Sequence, residues 1–293
     1  MEYVILSATG RVARLASDQP WAQARASAAA GQRQPHDVIA AAAPAYDGAI
    51  ALVAADGLAC RVATADLPSL DPTAPWSLAE APSASDLGGA SEPIIGLACL
   101  DLDAPPLALA TRWGVVKRVT PEYKGWPTWT VIALKDGDRV VGCAAAADPD
   151  DLVMITDDAQ VLRLSAREVR PQGRAAGGMA GMKLADGAQV IHFAAVAKAD
   201  RDQAVVATLA VGGDAANVKT TPLAQFPAKG RATGGVRGHR FLTGQSRLGL
   251  AWVGLPPVKA GNAQGLPRNL PPAEDRRDGS GTKVYGLFTA FGG

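Results

Sequence analysis

Asp151-Leu-Val-Met-Ile-Thr-Asp-Asp-Ala159-Gln-Val-Leu-Arg163 decides the fold. An apolar strand runs into a two-acid turn and returns as a second strand that ends in arginine, which is the pattern of a β-hairpin. The pattern recurs in Tyr3-Val-Ile-Leu-Ser-Ala-Thr-Gly10-Arg-Val-Ala-Arg14, in Ala49 to Gly57 to Arg61, and in Pro106 to Gly114 to Lys117-Arg118. A looser copy runs from Gln203 to Lys219, and a degenerate one joins Leu248-Gly-Leu-Ala-Trp-Val to Gln264-Gly265. The turns fall at 10, 57, 114, 159, near 213 and at 265. A lone hairpin cannot bury its apolar face, so units repeated about every 50 residues must pack on one another. Six four-stranded units of this size make an all-β, six-bladed, propeller-like ring of antiparallel blades. One domain is expected over 1–293, with blades at 1–45, 46–103, 104–147, 148–197, 198–245 and 246–293.

Between the hairpins lie apolar runs: Val38-Ile-Ala-Ala-Ala, Ile94 to Leu100, Arg139 to Ala146 and Gln189 to Val196. They read as strands buried on both faces near the ring centre, where alanine permits close packing; a short helix is the competing reading. Residues 69–93 and 256–282 read as Pro/Gly/Ser loops, and Val284 to Phe291 as a last strand closing the ring on the first. The start almost inside a strand, at Tyr3, suggests a fragment of a longer polypeptide.

Glycine (32) and proline (21) form about 18% of the chain against a usual 12% or so, which favours many turns over a helix bundle. Cys60, Cys99 and Cys143 make no disulfide framework or zinc spacing and read as small core residues. His36, His192 and His239 are scattered, which argues against a metallohydrolase or a Ser/His/Asp hydrolase. The pairs Asp150-Asp151 and Asp157-Asp158 read as turn acids. There is no long apolar run and no leader at Met1-Glu2-Tyr3-Val4, so a soluble protein of a reducing compartment is expected. The net charge of +1 hides a segregation. Residues 47–103 hold nine acids and one base, whereas 215–273 hold eight bases and no acid. Bases gathered on one surface can serve a polyanion despite a neutral total.

Two hairpins are followed by related segments: Gly173-Arg174-Ala-Ala-Gly-Gly-Met-Ala-Gly181 and Gly230-Arg231-Ala-Thr-Gly-Gly-Val-Arg-Gly238. Together with the Gly-x-x-Lys-Arg hairpin ends, they resemble the repeat of the C-terminal domain of bacterial type IIA topoisomerase A subunits, those of DNA gyrase and topoisomerase IV. The resemblance is strong over 106–240 and weak before 49 and after 250. It implies a β-pinwheel, a ring whose blades exchange strands, that binds and bends duplex DNA on its outer rim without catalysis. The implied partners are double-stranded DNA, the ATPase B subunit, and the catalytic N-terminal region of the A subunit. No membrane and no cofactor are implied, and the location is cytoplasmic, at the nucleoid. This chain would be the accessory domain of an ATP-hydrolysing enzyme.

Rim contacts are expected from Arg163, Arg174, Lys183, Arg231 and Arg237, then from Arg112, Lys117, Arg118, Lys124 and Lys219, and more weakly from Arg11, Arg14, Arg25 and Arg33. Trp113, Trp126 and Trp129 are expected to pack between blades, since a wrapped duplex offers no free bases. The glycine-rich basic box that the gyrase family carries in its first blade should follow Asp18, where only Arg25 and Gly31-Gln-Arg33 stand. The acidic second blade and the lack of an acidic tail also favour the topoisomerase IV side. A protein-interaction propeller without nucleic acid is the main alternative, and a propeller enzyme with a central-channel site is the third.

Overall fold

The computed structural model of the chain describes residues 2–16, 38–71, 74, 76–122, 125–212, 216–262 and 266–293. Apolar runs that show no alternation become strands packed on both faces. In β12 (Asp151–Thr156), Leu152 and Met154 point into one core and Val153 and Ile155 into the next. The turn to β13 (Gln160–Ser165) is made by Ala159 at φ 66°, where the other described hairpins use Gly10, Gly57 and Gly114. Both strands join β16 (Val190–Val196) and the two-residue β19 (Val236–Arg237) in one sheet of order β16-β12-β13-β19.

The other sheets repeat this plan. The first has β3 (Ile39–Pro44), β1 (Glu2–Ser7), β2 (Val12–Ala16) and β6 (Ser69–Leu70). The second has β7 (Ile94–Ala98), β4 (Ala49–Ala54), β5 (Leu58–Ala63) and β10 (Thr128–Thr130). The third has β11 (Val140–Ala145), β8 (Leu107–Thr111), β9 (Val115–Val119), and both β14 (Pro171–Gln172) and β15 (Met179–Ala180) against β9. The fifth has β20 (Arg247–Gly254), β17 (Val205–Val211), β18 (Ala216–Pro222) and β22 (Thr282–Val284). A two-stranded sheet of β21 (Lys259–Gly261) and β23 (Ala290–Gly292) takes the sixth position.

The innermost strands neighbour one another in the order β3, β7, β11, β16, β20, β23 and back to β3. The Gly293 amide donates to the Ile39 carbonyl at 3.1 Å, so the end of the chain meets the first sheet, but Val284 to Phe291 is not the single closing strand expected: Val284 ends β22 in the fifth sheet and Phe291 lies in β23. In all five larger sheets the pairing of the innermost strand slips by one residue, as between Ile155 and Thr156, which bends the strand as a bulge does. Small residues let these strands converge: a Cβ on Gly142 would stand 2.9 Å from the Phe193 carbonyl oxygen. The centre holds a cavity of about 330 Å³, lined among others by Ala42, Cys99, Ala144, His192 and Trp252.

Three sequence expectations shift. Leu248 to Val253 opens no sixth hairpin; it is the innermost strand of the fifth sheet, because its apolar run packs between the fourth and fifth sheets and the central ring. Gln264 and Gly265 lie outside the described residues. The stretch 69–93 is not all loop: Ala84–Gly88 is a short helix ended by Gly89 at φ 58°, and Gly88 rests on Cys60. The blades are not wholly antiparallel either, since β6 and β14 run parallel to their neighbours.

Candidate nucleic-acid interface

In the first four sheets the outermost strand comes from the stretch that follows the next hairpin, and in the fifth it is β22, which follows β21, so consecutive sheets interlock. Along the third, fourth and fifth sheets the incoming chain makes the same figure. On the third and fourth it pairs briefly in parallel, on the fifth it makes a single amide hydrogen bond, and in each case it then turns and returns antiparallel. On β9, Pro171 pairs with Arg118 and then Met179 with Val116. On β13, Ala228 pairs with Arg163 and then Val236 with Val161. On β18, the Glu274 amide reaches the Thr220 carbonyl and then Thr282 pairs with Val218. The loops between the passes are 173–178, 230–235 and 276–281.

The last glycine of each loop explains the Gly-Gly signature. Gly178, Gly235 and Gly281 have φ of 80°, 74° and 68°. A Cβ there would lie 2.6 Å from Val115 Cγ1, 2.7 Å from the Val161 carbonyl oxygen and 2.5 Å from the Val218 carbonyl oxygen. Glycine is needed against the edge strand, quite apart from any phosphate. Neighbouring loops are joined by one repeated bond: Ala133 N–H to Ala176 O at 3.3 Å, Lys183 N–H to Thr233 O at 3.0 Å, and Arg240 N–H to Gly279 O at 2.9 Å. The loops thus form one continuous strip over three sheets.

Equivalent positions on the strip are basic. Five residues before Met179, Val236 and Thr282 stand Arg174, Arg231 and Arg277. Four residues after Met179 and Val236 stand Lys183 and Arg240; one after Val236 and Thr282 stand Arg237 and Lys283. Lys183, Arg231, Arg237, Arg240 and Lys283 are exposed, and Arg174 and Arg277 half-buried. The Arg174 guanidinium lies 4.0 Å from the Trp126 ring centroid, and an Arg231 Nη1–H donates to Ala180 O at 2.9 Å. Stacking and backbone anchoring restrict these side chains while their charge still faces solvent. Arg277 and Lys283 escaped the sequence reading because Arg-Arg-Asp-Gly-Ser-Gly281 lacks the Gly-Arg-Ala opening, and Arg240 because it lies past the end of the Gly230 to Gly238 segment. The spacing back from Gly281 was the available signal.

Four of the stronger expected contacts, and one of the weaker, are spent inside the protein. Arg118 is 1% exposed; its guanidinium donates to Asp148 at 2.7 Å and to the carbonyls of Ala146, Ala166 and Val169. Arg163 bridges Asp151 at 2.7 Å and donates to Phe226 O at 3.1 Å. Arg14, a weaker candidate, likewise bridges Glu2 and donates to Leu67 O. Leu67, Val169 and Phe226 each follow the 3-10 turn after the next sheet's hairpin. The arginine that ends a hairpin is therefore a staple between sheets. Lys117 and Lys219 are 0% and 1% exposed. Lys117 Nζ donates to Val131 O at 2.8 Å and to Arg174 O and Ala176 O at 2.7 Å each. Lys219 Nζ donates to Arg276 O at 3.1 Å and to Arg277 O. Burial pulls both ammonium pKa values down to about 8; for Lys219, Glu274 and Asp278 oppose the fall and Arg277 adds to it.

Arg112 is half-buried beside Trp113 and donates to Gly137 O, and Arg11 donates to Ala81 O at 2.9 Å. Arg25, Arg33 and Lys124 lie outside the described residues. Trp129 is 5% exposed in the core between the second and third sheets, while Trp113 is 45% exposed. The acid pairs act locally: Asp157 accepts from the Gln189 amide, Asp150 from the Ala147 amide, and Asp151 from Arg163 and Arg201. The rim loop of the first sheet, 71–82, contains no lysine or arginine, and Asp71 and Glu80 are exposed on it.

Residues 150–197 and 208–241, which carry the fourth and most of the fifth hairpin unit, match the family described as "DNA gyrase C-terminal domain, beta-propeller". The DNA gyrase A chain of Deinococcus deserti is 35% identical over 132 residues, 43% of this chain and 16% of that protein. The DNA gyrase A chain of Mycobacterium tuberculosis is 32% identical over 139 residues, 46% of this chain and 16% of that protein. The match therefore spans about one sixth of the relatives' length. Among solved structures, the C-terminal domain of DNA topoisomerase IV superposes with a TM-score of 0.71 at 18% identity, covering 96% of this chain and 88% of that one. The DNA gyrase A C-terminal domain gives 0.65 at 15% identity, covering 99% and 98%. Residues 150–197 and 208–241 carry the sequence of the DNA gyrase C-terminal domain family, and the ring that contains them has the fold of the topoisomerase IV and gyrase A C-terminal domains.

Proposed function

We propose that this chain is a non-catalytic domain that binds and bends duplex DNA for a type IIA topoisomerase, presenting a segment for strand passage. The observation that carries this is the strip of equivalent rim loops, each with a basic residue at the same place: Arg174, Arg231 and Arg277. Regularly spaced cations on a convex edge bind duplex by releasing counterions and read little sequence. Each added phosphate contact offsets part of a bending cost of order several kcal/mol.

The base-free rim loop of the first sheet and the missing basic box after Asp18 support a topoisomerase IV-like role over active wrapping of the gyrase kind. In the intact enzyme the partners are the ATPase B subunit, with the catalytic region of the A subunit, and the setting is the bacterial cytoplasm. Among the described residues no helix is long and apolar enough to cross a membrane.

Ligation of nicked circular plasmid with increasing protein tests the proposal. A protein-dependent shift in linking number is expected, with affinity that falls steeply with salt. Salt-sensitive binding without a shift would leave DNA contact and remove bending. No binding at low salt would overturn the proposal in favour of a protein-interaction propeller.

A further inference from the structure

Under two loops of the strip lies an ammonium that touches almost no solvent. Lys117 gathers the carbonyls of Arg174 and Ala176, two residues of the 173–178 loop, together with Val131 O. Lys219 gathers the carbonyls of Arg276 and Arg277 in the 276–281 loop. The two lysines are equivalent, each following by one residue the edge-strand valine that pairs with the returning strand, Val116 and Val218. In the fourth sheet that position is Leu162, which cannot donate. There Lys229, the residue just before the loop, donates to Gly235 O at 2.9 Å. All three loops are thus tied by a lysine ammonium, two through several carbonyls from a buried edge-strand lysine and one through a single carbonyl from a half-buried lysine beside the loop.

A buried ammonium is costly unless its protons are all accepted, and Lys117 has three acceptors at 2.7 to 2.8 Å. An apolar side chain would fill the space more cheaply, as Leu162 does. Lysine does two further things: it fixes the peptide units that flank the rim arginine, and it adds positive charge beneath them.

We propose that Lys117, Lys219 and Lys229 are positioning residues: each ammonium sets the shape of one rim loop and thereby aims the arginine of that loop, Arg174, Arg277 or Arg231, at a duplex phosphate. This rests on the DNA-rim function above and assigns a role that burial alone does not. Lys117 and Lys219 act through the loop and make no contact with DNA.

A double-mutant cycle on the full chain tests it, with a mixed-sequence duplex as probe. Lys117→Met is expected to weaken binding roughly threefold to tenfold, the loss of about one charge-assisted contact. The decisive readout is coupling. Lys117→Met in an Arg174→Ala background should cost almost nothing more, whereas in an Arg231→Ala background it should cost its full factor. Trp126 fluorescence should also change in Lys117→Met as Arg174 leaves its ring. Wild-type affinity in Lys117→Met, or equal losses in both backgrounds, would overturn the inference while leaving the DNA-rim function intact. A wild-type chain that binds no duplex would overturn both. If Lys117→Met does not fold, Lys229→Met paired with Arg231→Ala carries the same cycle, because Lys229 lies in a surface loop.

Discussion

Arg163 and Arg237 look alike in the sequence and do opposite work. Arg163 holds Asp151, whose carboxylate is 4% exposed, and reaches Phe226 O across the sheet boundary. Breaking a buried pair costs about 3–5 kcal/mol, and the lower end applies because Arg201 still holds Asp151 at 2.7 Å. Arg163→Ala should therefore lower the urea midpoint by that equivalent with duplex affinity nearly unchanged while the protein is folded. Arg237→Ala should leave the midpoint within about 0.5 kcal/mol and weaken binding. Equal effects of the two on stability would contradict the staple. His239 is the second residue with a distinctive signature. It is 1% exposed, its Nε2–H donates to Ser280 O at 3.1 Å, and its Nδ1 lies 2.9 Å from Thr208 Oγ1. Burial pulls its pKa from 6.5 down to about 4, with the Ser280 bond opposing and Lys219 adding to the fall. The unfolded chain therefore takes up the proton first. Stability from this group is complete above about pH 6.5, is lost as pH falls toward 4, and falls no further below; the loss is of order 3 kcal/mol. His192, also lowered to about 4 by burial, accepts from the Val253 amide and adds loss in the same direction. His239→Gln, which can still donate to Ser280 O, should show a smaller fall in urea midpoint between pH 7 and pH 4.5. An unchanged fall would show that the imidazole is not the titrating group.

Among the elements, the hairpins were legible in the sequence because a tight turn is local: Gly10, Gly57 and Gly114 stand at the turns themselves, and strand identity follows from β-rich apolar runs on either side. What was not legible is what lies against the edge of a hairpin. Lys117 and Arg118 end a strand in the way that exposed residues do, and only later chain takes up their side chains: Val131 and the 173–178 loop for Lys117, and residues 146–169 for Arg118. Burial that depends on exchange between repeats leaves no trace in local periodicity, so four rim candidates read as outward and point in. The same exchange gives the Gly-Gly signature a structural reason beyond closeness to phosphate. It separates the two glycine types in a testable way. Gly178, at φ 80° and with Val116 O 2.9 Å from where a Cβ would stand, should lose about 1–3 kcal/mol on replacement by alanine. Gly173, in the same loop with nothing within 4 Å of the equivalent point, should change melting temperature little. A neutral Gly178→Ala would show that the loop can lift from β9 without cost.

For the whole molecule, the proposed function makes the position of the strip a statement about which part of the ring a duplex would follow. Interlocked loops carry Arg174, Arg231, Arg277, Lys183 and Arg240 over the third, fourth and fifth sheets. The loop on the first sheet has no base and exposes Glu80. Under the proposed DNA-binding role, this charge distribution favours a duplex path along that arc over one that passes the first sheet. Screening sharpens this difference, because a carboxylate more than about 8 Å from the nearest phosphate is largely invisible at physiological salt. Removing a charge on the arc and reversing one off it should therefore give different results. Arg277→Ala should lower the slope of log affinity against log salt by about one phosphate contact and shorten the hydroxyl-radical footprint at one end. Glu80→Lys, which adds a cation to the first sheet's rim, should change affinity by less than about twofold and leave the footprint as it was, since a duplex held on the arc does not reach it. A longer footprint and a steeper salt slope in Glu80→Lys would mean that the duplex already passes the first sheet and that the path closes round the ring.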